Sequence, residues 1–374
     1  MKRPILIGGV ALGLLFAVSH TPARETMRLG LITPLTGDVK TFGESCKNAF
    51  LLALDDYSKV GKYRITPFIA DDRNDATEGT NAALKLITQD RVAGIIGPLT
   101  SKIAIPVSEI ANKNRVPMIS SATNPKVTVH DGRRKPYVFR SCFTDPFQGN
   151  VAANFAIKNL KATTAAVLYD VGNDYSKGLA GFFKITFEGK GTILAYESYQ
   201  KDDVDFSALV TKIGVKKPDV IFLPDYYNKA SLVARQVREK GLKSALLGGD
   251  GWDSPDLVKM GGSAIIGSYF TNHYSAERKD TVAETFIGRY KQKYGAVPDA
   301  WAALTYDATM PYLQSLDKAN KATPEEVMKV LTDLKNFKGV TGNISFDRNG
   351  DPVKSAVILR VEKDGFKYIT TVNP

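Results

Sequence analysis

Cysteine and histidine are scarce in this chain, and their scarcity removes whole classes of chemistry. Of 374 residues, two are cysteines (Cys46, Cys142) and three are histidines (His20, His130, His273). A His/Cys metal centre needs several such ligands converging on one point, so no metal is expected. A Ser/His/Asp set would have to recruit His130 or His273, and neither stands in a supporting motif. There is no G-x-x-x-x-G-K-[ST] phosphate loop and no G-x-S-x-G turn, and "GDGWDSPDLVKMGG" lacks dinucleotide glycine spacing. "DRNGD" at 347–351 has Pro352 and Ile358 where a calcium loop needs Gly and Glu, and reads as a turn. No cofactor is expected, and no catalytic constellation is visible.

Concentrated positive charge is also missing. The formal net charge is +11, yet no run of five basic residues occurs, and "GRRK" at 132–135 is the densest cluster. Phosphate-backbone contact needs a basic stripe, so a nucleic-acid partner is not expected.

Long apolar runs are absent except at the start. "MKRP" is a charged opening, "ILIGGVALGLLFAV" a short apolar run, and "SHTPARE" a polar end with small residues. This order is that of a secretory signal peptide, 1–23, cut after Ala23. The run is shorter than the roughly 20 residues of a spanning helix. No cysteine stands near the cut to carry a lipid. The mature chain is expected to be exported, soluble and periplasmic. Export permits a disulfide, and for Cys46 and Cys142 the sequence leaves a bridge and two free thiols both open.

What the chain does have is alternation. Its length exceeds one ordinary core and suggests two domains. Strand-like runs at 27–35, 63–71, 92–97 and 116–120 alternate with helix-like segments at 43–59, 76–90 and 101–114. "KPYVFRSCFTDP" (135–146) breaks the rhythm and reads as an extended crossover. A second series follows, with strands at 164–170, 191–199, 219–225, 244–250 and 267–272 and helices at 175–188, 205–215, 229–240 and 254–260. Helices at 281–294, 300–319 and 323–334 and a hairpin-like tail close the chain. Such series build parallel sheets covered by helices on both faces. The expected class is α/β, with two doubly wound lobes.

Several strands stop in small and hydroxylated residues, as in "IIGPLTS" and "PMISSATNP". In such sheets ligands bind outside the carboxyl ends of the strands. The first half places Phe42, Leu99, Thr100, Ser101, Ser121, Ala122 and Thr123 there. The second places Tyr175, Tyr226, Asp250, Gly251 and Trp252. Hydroxyls and a helix start at Ser101 suit a carboxylate, while Asp250 suits an ammonium. An anion site facing a cation site across aromatic walls describes an α-amino acid pocket. Each residue also has a plainer reading. Asp250 could cap the helix near Ser254, and Ser101 could be an N-cap. Tyr175 could be an exposed loop residue, and Trp252 and Trp301 could be packing between lobes.

The same residues carry a resemblance. "ITPLTGDVKTFGESCKNAFLLALDD", "IIGPLTSKIAIPVSEIANKNRVPMISSATNP", "VFRSCFTDPFQG", "VLYDVGNDYSKGLA", "PDVIFLPDYY" and "LLGGDGWDSPDL" together resemble the leucine/isoleucine/valine-type periplasmic binding proteins of ABC importers. The resemblance spans essentially all of the mature chain. It implies the type I periplasmic binding protein architecture, with two α/β lobes joined by a three-segment hinge. Lobe 1 would be 26–143 plus 274–352, and lobe 2 would be 144–273 plus 353–374. By position it implies that Ser101 and Thr123 hold a ligand carboxylate. The Ser121 carbonyl and Asp250 would hold the ammonium, Tyr175 and Tyr226 would close over it, and Phe42 and Trp301 would wall the side-chain pocket. The implied partners are a small amino acid, branched-chain or aliphatic, and a membrane ABC permease; the chain itself would be a monomer. There are departures. The leucine-type proteins carry Glu where Asp250 stands, "SSATNP" is one residue shorter, and their disulfide joins other positions. Relatives of this fold also bind amides, urea and aromatic acids, so these remain the alternative ligands. An exported enzyme is the alternative of another class.

Overall fold

The computed structural model describes residues 24–374. The signal-peptide expectation falls on 1–23, outside the described residues.

The first sheet is built from β1 (Thr26–Thr33), β2 (Arg64–Asp71), β3 (Gly94–Ile96), β4 (Met118–Ser120) and β5 (Val138–Arg140). They form one sheet in the order β2-β1-β3-β4-β5, every pairing parallel. Side chains alternate across it, as the strand period of two requires. Leu31, Ile96, Ile119 and Phe139 face Ala308, Tyr312 and Leu316. Ile95, Met118 and Val138 face Ile103, Val107 and Ala111. The segment expected to be a plain crossover is therefore partly a strand: Val138–Arg140 pairs with β4 before the chain leaves the sheet.

The second sheet holds β6 (Thr164–Asp170), β7 (Thr192–Tyr199), β8 (Val220–Leu223), β9 (Ala245–Gly248), β10 (Tyr269–Asn272), β11 (Ala356–Glu362) and β12 (Gly365–Val372). Its order is β12-β11-β10-β9-β8-β6-β7. The C-terminal hairpin, β11 and β12, lies antiparallel at its edge. "DRNGD" is a turn, as expected, with the Asp347 carboxylate accepting from the Asn349 and Asp351 amides.

Helices α1 (Lys40–Val60), α2 (Ala76–Thr88) and α3 (Ser101–Lys113) cover the first sheet, and α4 (Asp145–Lys158), α5 (Asp174–Glu188), α6 (Ser207–Lys216), α7 (Tyr227–Glu239) and α8 (Asp256–Gly261) belong to the second. The chain then adds α9 (Thr281–Tyr294), α10 (Ala300–Lys318) and α11 (Pro324–Thr332). Of these, α10 packs along α1 and carries α11. Local sequence sets the helix starts. Asn173 accepts from the Tyr175 amide, Asp299 from Ala302, and Thr323, ahead of Pro324, from Glu326. Each such cap satisfies one orphan donor of the first turn.

The two lobes meet. The Tyr227 hydroxyl donates to the Asp38 carbonyl at 3.2 Å, and the Asn124 amide to the Asp174 carbonyl at 3.0 Å. Lys201 pairs with Asp38 at 3.1 Å, and the Thr41 and Ser254 hydroxyls lie 3.1 Å apart. The conformation is closed.

Candidate functional site

Residues at the carboxyl ends of both sheets meet at the interface between the lobes, where the Asn124 side-chain amide donates to the Asp174 carbonyl. Ser101 opens α3, and its hydroxyl accepts from the Asn124 amide at 3.3 Å. Thr100, the residue before it, donates to the Asn74 side chain at 3.0 Å and makes no side-chain cap bond. Ser121, Ala122 and Thr123 leave β4 and are all buried. Ser120 fixes their path: its hydroxyl donates to the Pro98 carbonyl at 2.6 Å and accepts from the Ala122 amide at 3.0 Å.

From the second lobe come Tyr175, on the first turn of α5, and Tyr226, which precedes α7. Their rings stack with centroids 5.3 Å apart and planes 6° from parallel. Gly249 and Gly251 make room for them. A Cβ at Gly249 would stand 2.4 Å from the Tyr175 hydroxyl, and one at Gly251 would stand 3.0 Å from the Tyr226 ring. The aromatic wall is Phe42 against Trp301 (centroids 4.7 Å), Tyr227 (5.1 Å) and Tyr226 (6.0 Å). Leu99 packs in the same cluster.

Asp250 is held on both oxygens. Oδ1 accepts from Gln148 Nε2 and from the Tyr175 hydroxyl, each at 2.8 Å. Oδ2 meets His273 Nε2 at 2.9 Å. Burial pushes its pKa up, but the hydrogen bonds from His273, Gln148 and Tyr175 outweigh burial and hold the carboxyl below its usual range. Burial lowers His273 more than Asp250 raises it, so the ring is neutral at pH 7 and donates through Nε2. Asp250 therefore remains a carboxylate, and it does not cap the helix near Ser254, where the Ser254 hydroxyl accepts from the Asp256 amide.

One expected site residue lies elsewhere. The Trp252 indole donates to the Leu223 carbonyl at 3.1 Å, and its ring covers Gly248, where a Cβ would come within 2.1 Å. It packs on the second sheet and does not join the cleft wall. Cys46 and Cys142 are buried free thiols. Burial pushes both pKa values up to about 12.

Sequence reasoning missed Asp145, Gln148 and His273. Asp145, on the first turn of α4, is fully buried, and neither carboxylate oxygen has a hydrogen-bond partner. Burial pushes its pKa up to about 8, and the charge of Asp250 adds to it. Gln148 Oε1, the Tyr226 hydroxyl and Trp301 Nε1 are likewise buried without partners. Native proteins rarely leave such groups unsatisfied. These five atoms are donors and acceptors that a polar molecule between the lobes would satisfy.

An interlobe cleft of this design defines a solute receptor. A sequence profile described as "Periplasmic binding protein" matches residues 26–366, and the chain belongs to that family. It is 32% identical over 335 residues to the Leu/Ile/Val-binding protein BraC3 of Rhizobium johnstonii, covering 88% of this chain and 89% of that one. The solved leucine binding protein LivK of Thermotoga maritima superposes with a TM-score of 0.89 at 36% identity, covering 93% of this chain and 99% of that chain. LivJ of Streptococcus pneumoniae, solved with isoleucine, superposes with a TM-score of 0.88 at 29% identity, covering 94% and 100%. The α/β class and the two-lobed type I architecture expected from sequence are those of these structures.

Proposed function

We propose that this protein is an extracytoplasmic receptor that closes on a small aliphatic amino acid and presents it to a membrane ABC permease. The observation that carries this reading is the pair of buried acids: Asp250, held by Gln148, Tyr175 and His273, and Asp145, whose amide donates to the Thr123 carbonyl and whose carboxyl has no hydrogen-bond partner. A desolvated carboxylate needs a cation beside it, and an α-ammonium supplies one. Its arrival draws off the Asp145 proton, so both acids then face the ammonium together with the Ser121 carbonyl. The ligand carboxylate meets Ser101, Thr123 and the amino end of α3. Phe42, Leu99 and Trp301 take the aliphatic side chain, and the Tyr175–Tyr226 stack covers it. The leucine and isoleucine named for the relatives fit that division.

Lobe 1 is 26–143 plus 274–352 and lobe 2 is 144–273 plus 353–374, with hinge closure as the mechanism. Only the closed form lets both lobes touch the ligand, so ligand shifts the population toward it. No covalent chemistry is involved. The chain works as a monomer in the periplasm after losing residues 1–23, and mass spectrometry of exported protein reads that cut. A thermal-shift screen of the twenty amino acids tests the function. A cognate ligand at a thousand times its Kd stabilises by about 4 kcal/mol. Stabilisation by leucine, isoleucine or valine supports the reading. Stabilisation by an amide, urea or aromatic acid, and by no amino acid, contradicts it.

A further inference from the structure

Apart from the cleft, a cavity of about 490 Å³ lies where the segments linking the two sheets cross, with His273, Arg278, Thr341, Lys354, Ser355 and Tyr368 in its lining. Lys354 is buried. Its Nζ donates to the Ser141 carbonyl at 2.8 Å and to the Thr341 hydroxyl, and the Asp307 carboxylate stands 3.9 Å away. The ammonium thus ties three connecting segments together and has one proton uncommitted. Arg278 pairs with Asp280 through Nε alone. Glu277, also in the lining, accepts from the Tyr368 amide at 3.2 Å.

His273 joins this cavity to the cleft. Its Nε2 is on Asp250, while its Nδ1 is buried and has no partner. Phe143 lies against the ring with centroids 3.6 Å apart. The cavity wall carries two cations, one carboxylate (Glu277) and a set of hydroxyls, and the fully buried imidazole with its free nitrogen lies behind that wall.

We infer that this cavity is a second ligand site, taking a compact oxyanion (a small carboxylate or inorganic phosphate) between Lys354 and Arg278, with His273 reading its presence. The charged groups around the imidazole are Asp250 on the cleft side and Lys354, Arg278 and Glu277 on the cavity side. An anion held by Lys354 and Arg278 offsets the Lys354 charge that disfavours the imidazolium, and so favours the protonated ring. The imidazolium tightens on Asp250 and weakens the pull of that carboxylate on a cation in the cleft. The two sites therefore oppose each other, by the same factor in either direction.

Calorimetry on the processed, amino-acid-free protein tests this with malonate and with inorganic phosphate, each against chloride at matched ionic strength. Saturable binding of either anion is expected, at least tenfold weaker in Arg278→Gln, and which anion binds identifies the source. Heats equal to those of chloride, or binding unchanged in Arg278→Gln, overturn the site. The coupling rests on the amino acid reading above and has its own arm. Saturating anion should weaken leucine binding several-fold in wild type and leave it unmoved in His273→Gln. Leucine affinity that ignores a bound anion in wild type overturns the role of His273, whatever the first arm gives.

Discussion

His273 Nε2 stands 2.9 Å from Asp250 Oδ2, and neither side chain reaches solvent. The bond sets the charge of the carboxylate from behind. Without that donor, burial would raise the Asp250 pKa. In His273→Ala, amino acid affinity should match wild type at pH 8 within about tenfold. It should then fall as pH drops through the raised Asp250 pKa, because the protonated acid no longer holds an ammonium. His273→Gln, which keeps an N–H donor, should restore the flat profile. Titration of leucine binding from pH 5 to pH 8 reads both.

Closure has a small, separable contribution from Tyr227, whose hydroxyl reaches the Asp38 carbonyl across the lobes at 3.2 Å. A hydrogen bond of this kind contributes about 0.5–1.5 kcal/mol net. Tyr227→Phe should weaken ligand binding about three- to tenfold and leave the melting temperature of the empty protein within a degree. An equal loss of stability without ligand would show that the contact holds the fold and not the closed state.

Asp72 is buried at the carboxyl end of β2, where its amide donates to the Thr33 carbonyl at 3.2 Å. Its Oδ1 accepts from the Asn74 amide at 2.9 Å, and Oδ2 has no partner. Burial raises its pKa to about 7, against about 3.9 in an unfolded chain. The folded state therefore binds the extra proton between those values. Stability falls as pH rises through that window and levels off above it. Asp72→Asn should leave the melting temperature unchanged near pH 4 and raise it at pH 8, by at most about 4 kcal/mol in free energy. A difference independent of pH would refute the assignment.

The thiols give a direct check of burial. Cys46 donates weakly to the Trp301 carbonyl at 3.7 Å, and Cys142 lies in the core between the lobes. A thiol with its pKa near 12 is almost entirely protonated at pH 8 and reacts slowly. Alkylation of native protein should label neither cysteine, and alkylation in denaturant without reductant should label both. A denatured, unreduced sample that stays unlabelled would mean a bridge.

Much of this was legible in the sequence, for physical reasons that differ by residue. The strand ends around Ser101, Ser121 and Asp250 announce themselves because apolar runs stop there in small polar residues. Val138–Arg140 does not, since a three-residue strand containing an arginine has no period to detect. Asp145 and Gln148 sit on the first turn of a helix, where Asp beside Pro146 reads as ordinary start chemistry. Only burial without a partner separates Asp145 from a cap. His273 follows β10 at the same sheet edge as Asp250, so the rule that found one could have found the other. Trp252 obeys that rule and still packs inward, because Gly248 leaves space for the indole. Position along a strand does not decide which way a side chain turns.

The central claim is that two acids hold the ligand's ammonium. It is tested most directly by calorimetry of wild type, Asp250→Asn and Asp145→Asn with leucine and with 4-methylpentanoate, its analogue without the amine. Breaking a buried charge pair costs about 3–5 kcal/mol. Leucine affinity should fall by about two to three orders of magnitude in Asp250→Asn and by at least tenfold in Asp145→Asn. Wild type should bind 4-methylpentanoate far more weakly than leucine. Undiminished leucine affinity in both variants, or an analogue that binds as tightly as leucine, would contradict the account.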